Sequence, residues 1–272
     1  MSVSVAATVL ALTACVAPAS AASQPCGDLA VAPPLHLEHI GQAAPAGPFL
    51  RQLASRLRPA AEDQQTGRYA QVHLALSGAD SAFEPCVQTT TAYARERRWR
   101  ADDGSGQVVG TAWHTDLTNP PPVTSTTYRR GRLTGVVPGP VPTDPARLAA
   151  ALDAYYPPQL SLASRLRAVA DLAGWHYSGL DARRSVLTVL AQTHGLRYRG
   201  IVAGFPGVAV TIDTANVRDV LVLDRRTGAV LAYELVLLAD GQAMGVRTPY
   251  SNTRTLYIGR GRTDRLGQAA RL

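Results

Sequence analysis

The chain reads as an α+β domain, a curved and mainly antiparallel β-sheet, half-barrel-like, packed against a block of helices. Two observations predict this. Apolar residues alternate with a period of two in the first and last thirds, whereas the middle third repeats them at helical spacing. Glycine-closed turns, Asp102-Asp103-Gly104-Ser105-Gly106 and Asp224-Arg225-Arg226-Thr227-Gly228, join successive extended runs at hairpin distance. With 272 residues, 46% of them hydrophobic, one sizeable core is within reach.

The elements follow in order. Phe49, Leu50, Leu53 and Leu57 recur at helical spacing and are closed by Pro59. From Tyr69 to Leu76, Val72, Leu74 and Leu76 face one way, while Gln71 and His73 face the other. A longer strand runs from about Cys86 to Arg100, and Gln107 to Trp113 returns beside it. Asn119-Pro120-Pro121-Pro122 interrupts before a further strand at Ser125 to Leu133. Thr143-Asp144-Pro145 opens a helix, with Asp144 as cap and Pro145 in the first turn, and Pro157-Pro158 ends it. Leu162, Leu166, Val169 and Leu172 define a second helix, Ser161 to Leu172. Ala182, Val186, Val189 and Leu190 define a third, Leu180 to His194, with Gly195 as its stop. Strands are expected at 197–203, 208–213, 217–224, 229–239 and 253–260. Residues 48–267 thus form a single domain, preceded by an Ala/Pro-rich linker at 22–47 and a signal segment at 1–21.

That signal segment points to an extracytoplasmic location. The first charged residue is Asp28, and the apolar run Val3 to Cys15 suits the core of an export signal better than a membrane span. Two processing sites compete. Leu12-Thr13-Ala14-Cys15 has the form of a lipobox, which would leave Cys15 lipidated and the protein membrane-anchored; Ala19-Ser20-Ala21 would give simple secretion. Residues 1–11 carry no Lys or Arg, so the usual basic start of a signal is missing. Of three cysteines, Cys26 and Cys86 remain whichever site is used. An oxidising compartment would let them form a disulfide, closing a loop of roughly 60 residues for about 4 kcal/mol in the chain-entropy model. Two unpaired buried thiols are the alternative.

Composition bounds the partners. All 27 basic residues are Arg and the net charge is +7. Outside the cytoplasm such charge meets anionic lipid headgroups or wall polymers rather than nucleic acid, or it forms a soluble surface with no specific partner. Arg95-Glu96-Arg97-Arg98-Trp99-Arg100 is the densest charge cluster, readable as a stripe for an anionic ligand or as a solvated edge strand.

Catalytic and metal signatures are lacking. There is no GxSxG elbow, P-loop or dinucleotide fingerprint. His36 and His39 stand three apart in a Pro-rich stretch, without the spacing of a zinc-binding helix. His73, His114, His176 and His194 have no partner at ligand spacing and read as half-exposed polar residues. No cofactor, metal or catalytic residue is therefore assigned.

Several short motifs in order carry a resemblance: Trp99-Arg100-Ala101-Asp102-Asp103-Gly104-Ser105-Gly106, Pro142-Thr143-Asp144-Pro145, Phe205-Pro206-Gly207-Val208-Ala209-Val210, Val220-Leu221-Val222-Leu223-Asp224, and Thr227-Gly228-Ala229-Val230-Leu231. Over most of residues 49–267 the chain resembles an uncharacterised family of exported or membrane-anchored actinobacterial proteins, often encoded beside sigma-factor genes. The family's usual Asp-Pro at the last turn is Asp224-Arg225 here. The architecture is also distantly similar to the half-barrels of envelope lipoprotein carriers and sigma-E regulators, by fold analogy alone. That likeness implies a concave apolar face.

The resulting expectation is a non-catalytic binding protein for a hydrophobic ligand, such as a lipid or lipoprotein, or for an envelope protein partner. A secreted hydrolase and a purely structural domain are the competing readings. In the ligand-carrier version, Val72, Leu74, Leu76, Leu231, Tyr233 and Leu235 line a cavity facing Leu166, Val169, Val186 and Leu190, and a buried Tyr233 hydroxyl needs a hydrogen-bond partner.

Overall fold

The computed structural model describes residues 25, 27–39, 41, 43–83, 86–114 and 121–267. Cys15, Cys26 and the whole signal segment lie outside the described residues. In chain order come α1 (Ala46–Ser55), β1 (Tyr69–Ala82), β2 (Gln88–Ala101), β3 (Gly106–His114), β4 (Thr124–Tyr128), α2 (Pro145–Tyr155), α3 (Ser164–Trp175), α4 (Leu180–Ala191), β5 (Arg197–Ile201), β6 (Gly207–Asp213), β7 (Val217–Asp224), β8 (Val230–Leu237) and β9 (Tyr250–Thr263).

The fold is α+β, as the patterning predicts. One open antiparallel sheet holds nine strands in the order β4-β3-β2-β1-β9-β8-β7-β6-β5. Two meanders, β1–β4 and β5–β9, are joined by the pairing of β1 with β9 along Tyr69↔Thr263 to Gly78↔Thr253. Pairing with β9 as far as Gly78 and with β2 as far as Ala82 explains why β1 runs to Ala82 although Ser77-Gly78-Ala79-Asp80-Ser81 is poor strand sequence. Its backbone is zipped to β2 on one side and β9 on the other, and that outweighs weak propensity.

The turns form as their chemistry requires. Gly104 adopts φ +71, and the Ser105 amide and hydroxyl both donate to Asp103 Oδ1, at 2.9 and 2.6 Å. Asp224 Oδ1 accepts from the amides of Arg226 and Thr227 at 2.8 and 2.7 Å. Asp144 caps α2, accepting from the Arg147 amide at 2.8 Å. The helix expected from Ser161 begins instead at Ser164, because the Ser161 hydroxyl accepts from the Ala163 amide and folds that segment into a turn. Leu162, expected on the helix's apolar stripe, is consequently 60% exposed.

All four helices cover part of one face of the sheet, the inner face. The core between them includes Leu50, Leu53, Val72, Leu74, Leu148, Leu152, Leu166, Val169, Leu187, Leu190, Val210 and Leu221. Strand β6 is buried on both sides: Val208, Val210 and Ile212 join that core, while Ala209 belongs to a second cluster on the outer face.

Residues 22–47, expected as a linker, are in their described part a docked arm. The arm begins beside the start of β2, where Pro25 bridges Val87, passes Val246 through Ala30, and reaches β5 through Leu37↔Val202 and Pro45↔Arg197. Leu37, 4% exposed, packs with Val202, Val220, Val222, Ala232 and Val236. Beneath it the fully buried Glu234 accepts from the Leu35 amide at 2.9 Å and from the Ser251 hydroxyl and Arg254, and Arg254 also donates to the Pro33 carbonyl. A composition rich in Ala and Pro concealed these two leucines and their anchor. The arm also occupies the free edge of β5: the Glu38 and His39 amides donate to the carbonyls of Ile201 and Arg199, both at 3.1 Å.

Candidate functional site

Helix α3 lies across the inner face from β7 to β2, and its polar residues mark where helical cover ends. At one end Arg167 grips the buried Asp219 through two hydrogen bonds of 2.7 and 3.0 Å. The Tyr233 hydroxyl donates to the same carboxylate at 2.6 Å, so the expected partner of Tyr233 exists. At the other end Arg98 stacks on the Trp175 ring at 3.9 Å, donates to the Gly174 carbonyl at 3.0 Å and pairs with Glu96 at 2.6 Å. Between these ends sits Asp171, which accepts from the hydroxyls of Tyr155 and Tyr156 at the end of α2. Burial raises the Asp171 carboxyl to about 6, against the opposing pull of Arg98 and the two tyrosines. Tyr155 in turn is pushed up to about 12 by burial and by Asp171.

Beyond this row the inner face continues without a helix over it among the described residues. Leu76 stands opposite Ala94 and Thr255, and Gly78 opposite Ala92 and Thr253. Ala94 pairs with Ala112, Thr253 with Leu235, and all share the face of Leu74. Burial falls along β1 from 1% at Leu74 to partial exposure from Leu76 onward, and Ala112 is exposed. The result is an open surface of small and aliphatic side chains, interrupted by Glu96 and by the Asp80–His114 pair at 3.7 Å, beside Tyr155, Tyr156, Asp171, Trp175 and Arg98. On the α2–α3 connection near that wall, Leu160 and Leu162 are 72% and 60% exposed.

Among the described residues the expected ligand cavity between sheet and helices is filled by side chains. Val72, Leu74, Leu166, Val169, Val186 and Leu190 meet in one packed cluster, and Leu231 belongs to the outer face instead. The gap among Val169, Leu172, Val186, Val230 and Arg260 is about 20 Å³, whereas small-ligand pockets run to roughly 300–1,000 Å³. A larger cleft, about 390 Å³, opens between the starts of α2 and α4 and is lined by Thr143, Asp181, Arg184 and Thr188. Its walls are mostly polar and open to solvent.

The basic cluster at 95–100 is split by strand alternation, and β2 is an interior strand rather than a solvated edge. Arg95 and Arg97 point to the outer face, while Arg98 and Arg100 point inward. Arg100 is buried and donates to the carbonyls of Val137 at 3.2 Å and Leu133 and Gly139 at 3.4 Å, pinning the loop before α2. His176, read from sequence as half-exposed, is 5% exposed beside it, with Nδ1 at 3.3 Å from Arg100 Nη1. Burial and the Arg100 charge push its imidazole down to about 3. Both residues hold a loop.

Cys86 is described and partly buried, directly before Val87, whose bridge partner Pro25 directly precedes Cys26. Alternation and spacing alone did not reveal the Asp171 cluster. The usable signal was there: Arg167 and Asp171 stand i,i+4 on the α3 face that carries Gly174, against a Tyr155-Tyr156 pair at the end of the preceding helix. No family model matches the chain, and no curated protein matches it.

Proposed function

We propose that this chain is a non-catalytic extracytoplasmic binding protein, secreted or anchored through a lipid on Cys15, whose open inner face receives an envelope protein partner. The observation that carries this reading is an inner-face surface of Leu76, Ala92, Ala94 and Ala112 that no described helix covers, with Leu160 and Leu162 exposed on the α2–α3 connection and a Tyr, Trp and Arg wall beside it. Those residue types dominate the energetic centres of protein interfaces, whereas charged Lys, Glu and Asp do not. The packed core favours a protein partner over a buried acyl chain, since a volume of about 20 Å³ admits no lipid tail. The neighbouring pairing of Pro25 with Val87 supports a Cys26–Cys86 disulfide that ties the arm down in an oxidising compartment.

Chemical cross-linking of intact cells, followed by isolation of the chain, tests the reading. The native chain should carry a discrete heavier adduct that the double variant Leu160→Asp, Leu162→Asp loses while its melting temperature stays unchanged. An adduct of equal yield in the folded double variant contradicts a partner at this face. Co-purifying lipid lost from the same variant would instead favour a hydrophobic ligand.

A further inference from the structure

The outer face divides in two. Over β5–β9 it is covered by the arm. Over β1–β4 its upper half carries a different chemistry. Arg95 and Arg97 are exposed, and neither has an ion-pair partner among the described residues. His73 stands opposite Arg97, Arg95 opposite Thr111, and Tyr93 opposite Trp113 with the two rings stacked at 5.8 Å. By strand alternation the outward positions of these four strands include no Asp or Glu at all.

We propose that this outer face of β1–β4 rests on an anionic lipid surface, as a second membrane contact beside the N-terminal anchor. The proposal builds on the membrane-anchored reading above. Three features favour a membrane over a merely solvated surface. Unpaired guanidinium groups on an acid-free face complement anionic headgroups, and a Tyr–Trp pair beside them suits the headgroup boundary, where amphipathic rings concentrate. The tether also enters at the right place. Cys15 precedes Pro25 by ten residues, a contour of at most roughly 35 Å, and Pro25 is bridged to Val87 at the very start of β2, the strand that carries Tyr93, Arg95 and Arg97. A lipid on Cys15 therefore holds this face within reach of the bilayer. A lipid chain plus a basic patch is the usual requirement for stable attachment, since one signal alone binds reversibly. The imidazole of His73, flanked by Arg97 and Arg95, is pushed down by burial and by those two charges, which is consistent with a positive potential over the patch. The titratable groups around it are these arginines on β2, with Gly259 of β9 on its other side.

Tryptophan quenching by brominated lipids tests this on the native chain. Vesicles rich in phosphatidylglycerol should quench a fraction of the emission, and vesicles of phosphatidylcholine alone should not. Trp113→Phe should abolish that quenching, because Trp99 is 2% exposed and Trp175 lies on the inner face under Arg98. The double variant Arg95→Glu, Arg97→Glu should reduce it at least several-fold. The pair Arg129→Glu, Arg130→Glu changes the charge equally at the far end of the strands, after β4, and should leave it intact. Quenching independent of Trp113, equal in both lipids, or lost equally in both charge-reversed pairs overturns the proposal. Cell fractionation separates this from failure of the anchoring reading. An intact Met1 on a cytosolic species would sink the anchor, while the vesicle result would still report on the face itself.

Discussion

At the scale of single residues, two buried titratable groups oppose each other as the pH falls. His176 is held near 3 in the folded chain, far below the ordinary 6.5, by burial and Arg100. The unfolded chain therefore binds the proton first, and stability is full above about pH 6.5 and declines as the pH falls towards 3. Asp171 is shifted the other way, to about 6 from 3.8, chiefly by burial. Here the folded chain binds the proton first, so its contribution is unfavourable above about pH 6 and is relieved as the pH falls towards 3.8. The two slopes partly cancel between pH 6 and 4. Replacing Asp171→Asn keeps a carbonyl acceptor for Tyr155 and Tyr156 and removes the titration together with the charge that Arg98 attracts. Urea unfolding at pH 8 should then show a variant more stable than the native chain by about 1–3 kcal/mol. On acidification its stability should fall more steeply than the native chain's. Parallel pH profiles would contradict the placement of Asp171. The sequence exposed the apolar stripe of α3 but not this pair of environments, because burial of a lone Asp or His depends on what the sheet places beneath it. Asp171 and His176 sit over Tyr257 of β9 and Arg100 of β2, residues 86 and 76 positions away.

At the scale of elements, the arm is the feature that composition misrepresented. Ala, Pro and Gly outnumber its apolar anchors, yet Leu35 and Leu37 close the second cluster and Glu234 fixes the backbone over them. Strands such as β6 and β8 were legible because they show continuous burial or alternation, whereas the exposed β4 shows neither. The ends of β1 and β9 were not legible, since pairing with neighbouring strands rather than their own sequence extends them, β2 at residues 79–82 and β1 at residues 261–263. Glu234→Ala removes the carboxylate that joins Arg254, Ser251 and the Leu35 amide, leaving these donors, one of them a partly buried guanidinium, without their acceptor at a cost of about 1–3 kcal/mol. Hydrogen exchange should rise in residues 30–39 and stay unchanged in α3 and α4; a uniform rise across the chain would show that Glu234 does not hold the arm in particular. The proposed disulfide acts on the same element. Non-reducing peptide mapping should recover Cys26 linked to Cys86, and the double change Cys26→Ser, Cys86→Ser should lower the melting temperature with the sheet retained. Two free thiols in the exported protein would remove that tie.

At the scale of the whole molecule, the division of the inner face carries the proposed function. Where helices lie over it, the face is solid core: Leu74 is 1% exposed and Tyr257, beside it on β9, bonds the Ala170 carbonyl at 2.6 Å. Leu74→Ala should therefore cost about 2–5 kcal/mol, as expected for a packed site that collapses poorly. A loss near zero in chemical denaturation would indicate a cavity wall instead. Where no described helix lies over it, the same face carries small and aliphatic side chains beside the Asp80–His114 pair. The layer order was legible from the succession of strands, helices and strands. The incomplete cover was not, since it depends on the path of α3 across the sheet rather than on any local pattern. Genetically placed photo-cross-linkers in living cells test the role of this open half most directly. A probe at Ala112 or at Leu162 should yield one and the same discrete partner adduct, and a probe at Val31, 64% exposed on the arm, should not yield it. An adduct at Val31 alone, or none at Ala112 and Leu162, would contradict a binding role for the inner face.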